Sequence, residues 1–219
     1  MGSAQAGLSR YETPLVTVDI VVCTIQQNRL KVLLIRRKRA PYEHTWAIPG
    51  GFIREGETLE EAAANRMQEE TNVENIYLEQ LSAFGTPGRD PRARVITVAY
   101  YALVGADQLT LAADANAEDV AWFSSAELPH LAFDHAEIVH FALERMKDRL
   151  ETSSIAFQLL PQKFTLTELQ RVYELILNKS LDKRNFRKKI LSSGILKDIG
   201  ETKMEGYHRP AQLYSFLAL

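Results

Sequence analysis

The chain has 219 residues, 46% of them hydrophobic and 25% charged, with a formal net charge of -2; that length suits two domains, and that composition suits a soluble globular protein and excludes a fibrous or disordered one. A single cysteine, Cys23, excludes an internal disulfide framework and fits a reduced, cytoplasmic protein with a buried thiol. No apolar run approaches the roughly 18 residues that span a bilayer, and residues 1–20 do not read as a signal peptide, so no membrane partner is expected.

Residues 1–11 begin with a small, polar run and read as a flexible tail. Residues 15–25 are β-branched and partly alternating, which predicts a strand. Residues 30–36 repeat the pattern after the polar turn Gln26-Gln27-Asn28. A Pro/Gly loop at 49–51 follows. Thr58 and Glu61 form a capping box ahead of a helix over 59–70, rich in Ala, Glu, Met and Leu. Strands are expected over 73–84 and 94–104, separated by the turn-rich Gly85-Thr86-Pro87-Gly88-Arg89-Asp90-Pro91. Trp122-Phe123 ends another strand, and 134–150 reads as an amphipathic helix. Residues 151–163, with Thr-Ser-Ser and a proline, mark a linker between a domain at 12–150 and one at 164–219. There, Thr165 and Glu168 form a second capping box, opening a helix to about Asn178. A second helix covers 182–192, with Phe186, Ile190 and Leu191 as its inward face, and strands lie near 195–199 and 211–216.

Charge divides at the same place. Residues 151–219 carry 11 Lys and Arg against 7 Asp and Glu, whereas residues 1–150 carry 15 against 21. A basic second part points to a polyanionic partner. Five cations fall within residues 183–189, with no glutamate between 183 and 200. Two helices followed by a hairpin is the layout of a winged helix-turn-helix, whose second helix enters the major groove. At about 100° per residue, Arg184, Asn185, Lys188 and Lys189 lie opposite Phe186, flanked by Lys183 and Arg187; these are candidate contacts to phosphates and base edges of double-stranded DNA. Lys203 and Arg209, on the wing, are candidate backbone contacts.

The segment from Gly51 through Glu57, Asn65, Arg66, Met67, Glu69 and Glu70 to Asn72 and Val73, preceded by Trp46-x-x-Pro49-Gly50-Gly51, resembles the Nudix box. The resemblance spans roughly residues 12–150 and implies an α+β Nudix fold, a mixed sheet sandwiched by helices. The family pattern has Arg-Glu where this chain has Asn65-Arg66. That glutamate would join positions 69 and 70 on one helical face to hold a hard cation such as Mg²⁺, which supports hydrolysis of a pyrophosphate. A guanidinium at 66 would pair with Glu69 or Glu70, and a cation about 4 Å from a divalent ion costs several kcal/mol even at an effective dielectric near 20. Asn72 stands where the family has glycine, and asparagine is the next-best residue for the left-handed geometry expected there, so this substitution should spare the fold. The degenerate box (Gly51, Glu57, Asn65, Arg66, Glu69, Glu70) therefore predicts a retained pocket with no catalytic residues, no metal and no cofactor, unless Glu55 or Glu57 rescues metal binding.

For that pocket, Arg37 and Arg39 in Arg36-Arg37-Lys38-Arg39 are candidate phosphate contacts. Glu70 and, by resemblance of the 85–94 loop to ADP-ribose-type Nudix proteins, Arg89 join them. Trp46 and Phe52 are candidates for stacking on an adenine, although a tryptophan at position 46 is more often a core residue. The C-terminal stretch, particularly Leu181-Asp182-Lys183-Arg184-Asn185-Phe186-Arg187 and Tyr207-His208-Arg209-Pro210-Ala211, resembles the Nudix-related transcriptional regulators of NAD metabolism. That resemblance implies a homodimeric repressor of NAD biosynthesis or salvage genes that binds palindromic operator DNA and responds to ADP-ribose. An ADP-ribose pyrophosphatase with an accessory domain, and a sugar-responsive regulator of the same architecture, remain as alternatives.

Overall fold

The structure, a computed structural model, describes residues 11–71, 77–105, 117–150, 154–204 and 210–217; the expected tail over 1–10, the box residues Asn72 and Val73, and the wing residues His208 and Arg209 lie outside them. Strands β1 (Leu15–Gln26), β2 (Arg29–Arg37), β5 (Tyr77–Phe84) and β6 (Val95–Leu103) form a mixed sheet in the order β2-β1-β6-β5. Pairing of β1 with β6 is parallel, and that of β1 with β2 and of β5 with β6 antiparallel. The short β3 (Trp46–Ala47) and β7 (Ala117–Ser124) flank β2, and β4 (Gly50–Phe52) pairs with the start of β1. The alternation in β1 is only partial because both faces of the strand are covered. Val18, Ile20 and Val22 pack against Ala62, Ala63 and Met67 of α1 (Leu59–Thr71), while Val21 and Cys23 face Ile138, Ala142 and Met146 of α2 (His135–Arg149). Burial pushes the Cys23 thiol up to about 12, so it stays protonated and inert.

Both capping boxes form. Thr58 N–H donates to Glu61 at 2.9 Å and Thr165 N–H to Glu168 at 2.7 Å, each returned by a backbone-to-hydroxyl bond. The second opens α3 (Leu166–Leu177), which Asn178 ends in left-handed geometry. Then follow α4 (Lys183–Ser192) and a small sheet in the order β8 (Phe164–Thr165), β10 (Ala211–Phe216), β9 (Leu196–Lys203). Two expectations need correction. The segment taken as a linker carries a 3₁₀ turn at Ile155–Leu159 whose Ile155, Ala156, Phe157 and Leu159 are buried. Its apolar residues join α2, α3 and α4 in one continuous core, so the two domains are packed together rather than tethered. Leu191, expected inward, is 49% exposed. It lies about 140° around the helix from Phe186, whereas Ile190 lies only about 40° from it.

Candidate effector cleft and DNA-binding face

The box helix α1 presents Arg66, Glu69 and Glu70 beside the Gly50-Gly51 strand. Arg66 is buried. Its guanidinium donates to Glu69 at 2.6 Å and to Glu57 at 3.3 Å. Glu57 also accepts from Asn65 at 2.9 Å and from the Arg54 backbone N–H at 2.9 Å, and these bonds hold its carboxyl below the usual carboxylate range. A bidentate pair with Arg54, at 2.8 and 3.2 Å, engages the rest of Glu69. The expected guanidinium thus sits in the box, paired with Glu57 and Glu69; Glu70 instead turns away and accepts the Gly50 N–H at 2.9 Å. These residues do not fit a divalent cation: two of the acids already face arginines, and the guanidinium stands among them. Among the described residues no group of three His, Cys, Asp or Glu side chains is placed to hold a metal.

A recess of about 70 Å³ and a chamber of about 350 Å³ share Arg37, Gly50, Gly51, Phe52, Glu70 and Arg92 in their linings. Gly50 is required there. A Cβ would lie 2.4 Å from both Asp19 Oδ1 and the Val18 carbonyl, because β4 runs directly against β1. Burial, with Asp19 nearby, raises Glu70 to about 8, so at neutral pH it is a neutral acid able to donate as well as accept. His135 Nδ1 accepts the Ile48 N–H at 3.2 Å, which leaves the ring proton on Nε2. Burial holds its pKa below the ordinary value, so the imidazole is neutral.

Of the predicted contacts, Arg37 and Arg39 both line the chamber, but β2 ends at Arg37, so strand alternation places only the first of them. Arg37 lies over the Phe133 ring, 4.8 Å from its centroid, and donates to the Pro41 and Arg39 carbonyls. Phe52 is 38% exposed on the rim, available for stacking. Trp46 is not part of the cleft: it packs edge-on against Phe123 at 4.7 Å and joins the core, because β3 pairs it inward. Arg89, in contrast, lines the recess. Its side chain is 4% exposed and grips Asp134 at 2.6 and 2.7 Å and Asp19 at 3.3 Å, so it builds the cleft wall. The more accessible arginine of that loop is Arg92, 43% exposed, paired with Asp90 and lying 5.2 Å from the Phe52 ring centroid. Sequence reasoning missed Arg92, Asp19, Phe133 and His135. Asp19 had a visible signal, a lone acid inside an apolar strand; His135 had none, since it reaches the site from over 80 residues beyond β4.

The basic helix keeps its expected face. Asp182 caps it by accepting the Asn185 N–H at 2.8 Å. Lys183, Arg184, Asn185 and Lys188 are exposed, and Lys189 beside them is exposed too. Arg187 is half-buried, with its guanidinium 3.5 Å from Thr167 of α3, whereas Lys203 is exposed and pairs with Glu168 at 2.7 Å. No helix among the described residues is long and apolar enough to cross a membrane.

Comparison with known proteins matches both parts of the chain. Residues 13–142 match the NUDIX domain, and residues 156–216 match the NrtR DNA-binding winged helix domain. The chain belongs to the NrtR family of Nudix proteins. It is 37% identical over 217 residues to the ADPR responsive transcriptional repressor NtrR of Acinetobacter baylyi, covering 97% of this chain and 86% of that protein. The crystal structure of Shewanella oneidensis NrtR complexed with a 27mer DNA superposes with a TM-score of 0.80 at 36% identity, covering 92% of this chain and 93% of that one. The Nudix domain of the same Shewanella protein, complexed with ADP ribose, superposes with a TM-score of 0.58 at 36% identity, over 67% of this chain and 99% of that one. As an NrtR-family chain, the protein unites a Nudix fold of mixed sheet and helices with a winged helix.

Proposed function

We propose that this NrtR-family chain is a transcriptional repressor of NAD biosynthesis or salvage genes that reads operator DNA through α4 and senses ADP-ribose in a Nudix cleft that does not hydrolyse it. The observation that carries the reading is Arg66, seated between Glu57 and Glu69 where hydrolysis would need a third metal-holding carboxylate. The cleft behind it remains suited to a nucleoside diphosphate. Arg37, Arg39 and Arg92 supply cations for a pyrophosphate, Phe52 offers an aromatic face, and neutral Glu70 and His135 offer hydrogen bonds to sugar hydroxyls without repelling phosphate.

The exposed cluster Lys183, Arg184, Asn185 and Lys188 supplies DNA contacts of the kind a major-groove helix makes. One small winged helix reads few bases, so the reading includes a homodimer placing two copies on a palindrome. The test is a DNA-binding titration. A duplex enriched by this protein from a random pool is bound at increasing ADP-ribose, with NAD and ribose as comparison ligands. The reading predicts that ADP-ribose weakens the complex at concentrations where ribose does not. Operator affinity unchanged at saturating ADP-ribose would remove it.

A further inference from the structure

Two elements run from the cleft to the winged helix, and both end on α3. Strand β2 places Arg37 in the cleft and, about 27 Å away at roughly 3.3 Å per residue, ends at the hairpin turn that carries Asn28. Arg171 of α3 clasps that turn, donating from Nε to the Asn28 side-chain oxygen and from its terminal nitrogen to the Asn28 carbonyl at 3.4 Å. Helix α2 likewise begins in the cleft wall. Asp134, at its N-cap, uses its carboxylate on Arg89 rather than on the helix end, and His135 holds the Ile48 backbone. Roughly 22 Å further on, at 1.5 Å per residue, α2 ends at Leu150, whose carbonyl accepts from the Tyr173 hydroxyl of α3 at 3.1 Å.

From α3 the connection to the DNA-reading helix is equally direct. The Tyr173 ring meets Phe186 of α4 edge-on, centroids 5.2 Å apart. Gln170 donates to the Leu181 carbonyl at 3.0 Å, and Glu174 accepts the Leu181 N–H at 3.0 Å, so the turn between α3 and α4 is stapled to α3.

We infer that α3 is the element that conveys cleft occupancy to α4, gripped by Arg171 and Tyr173 at the far ends of the two elements that line the cleft. This rests on the proposed roles of the cleft and of α4. A ligand bridging Arg37 on β2 and the α2 end of the cleft would change the relative placement of β2 and α2, and α3 is hydrogen-bonded to both. Neither Arg171 nor Tyr173 is among the residues that line the recess or the chamber, so their part is positional.

The experiment uses the full chain with Arg171→Ala, Tyr173→Phe, the pair together, and Asn28→Gly. Asn28→Gly removes the clasping side chain from the other domain while keeping the left-handed turn (φ 60°). Three quantities are measured for each: ADP-ribose affinity of the free protein, affinity for the enriched duplex without effector, and the ratio of duplex affinities without and with saturating ADP-ribose. The ratio measures the coupling, typically about 5- to 150-fold in allosteric proteins. The expected result is that the first two quantities stay within about 2-fold of wild type, while the ratio falls below about 3-fold in the double variant. Asn28→Gly and Arg171→Ala should each lower it to a similar intermediate value. A double variant, or an Asn28→Gly variant, that keeps the full wild-type ratio would overturn the role of α3. A wild-type protein with no ADP-ribose effect would instead overturn the reading of the cleft, and the inference with it.

Discussion

Two arginines three residues apart in one loop should respond in opposite ways to the same substitution. Arg89→Met removes the only arginine bonded to both Asp134 and Asp19 among the described residues and leaves two carboxylates in a wall where the arginine itself was 4% exposed. Breaking a buried pair from one side leaves an uncompensated charge at a cost of about 3–5 kcal/mol. At about 2–4 °C per kcal/mol for a chain of this size, the melting temperature should fall by about 6–20 °C. Arg92→Met breaks a pair with Asp90 that is 43% exposed on the arginine side. Asp90 is only 4% exposed but keeps the Arg92 backbone N–H as a partner, so the cost should lie between that of a surface pair, about 1 kcal/mol, and the roughly 3–5 kcal/mol of a fully buried one; melting should fall less than in Arg89→Met while ADP-ribose affinity falls about tenfold or more. Thermal unfolding followed by circular dichroism, paired with calorimetric titration of ADP-ribose, reads both. An Arg89→Met protein that melts like wild type but binds effector poorly would refute the assignment of Arg89 to the wall and of Arg92 to the ligand.

Glu70→Gln should change the pH dependence of stability. Its folded-state pKa of about 8 lies above the ordinary 4.5, so the bound proton stabilises the fold fully below about pH 4.5 and this contribution is lost as pH rises through 8. Wild type should lose up to about 1.4 kcal/mol per pH unit across that window relative to Glu70→Gln, and parallel pH profiles in denaturant melts would count against a buried, protonated acid. On the DNA face, Arg184→Ala with Lys188→Ala, both exposed, should abolish specific binding with melting nearly unchanged. The residual affinity should show a slope of log affinity against log salt shallower by about 2; an unchanged slope would place the phosphates elsewhere.

Where local chemistry governs, the sequence was legible. Both capping boxes form at the expected residues, the box helix puts Arg66 against Glu69, and Arg184 and Lys188 of α4 are exposed while Phe186 is buried. Legibility failed where tertiary partners decide. Arg89 and Arg92 share a loop and a charge, and nothing local tells which one Asp134 will capture from 45 residues away. Trp46 precedes a Gly-Gly cleft strand, but pairing with Arg36 turns it to the core. Thr-Ser-Ser and a proline give residues 151–163 the composition of a linker, yet Ile155, Phe157 and Leu159 within it are buried in the core, because partners distant in sequence cover them.

The central claim is that the cleft beside Arg66 holds a nucleotide without cutting it. The most direct measurement titrates ADP-ribose into the protein with Mg²⁺ in a calorimeter and then analyses the same sample by ion-exchange chromatography after prolonged incubation. The account predicts saturable binding with ADP-ribose recovered intact. Recovery of AMP and ribose 5-phosphate at ordinary enzymatic rates, abolished by Glu69→Gln, would contradict it.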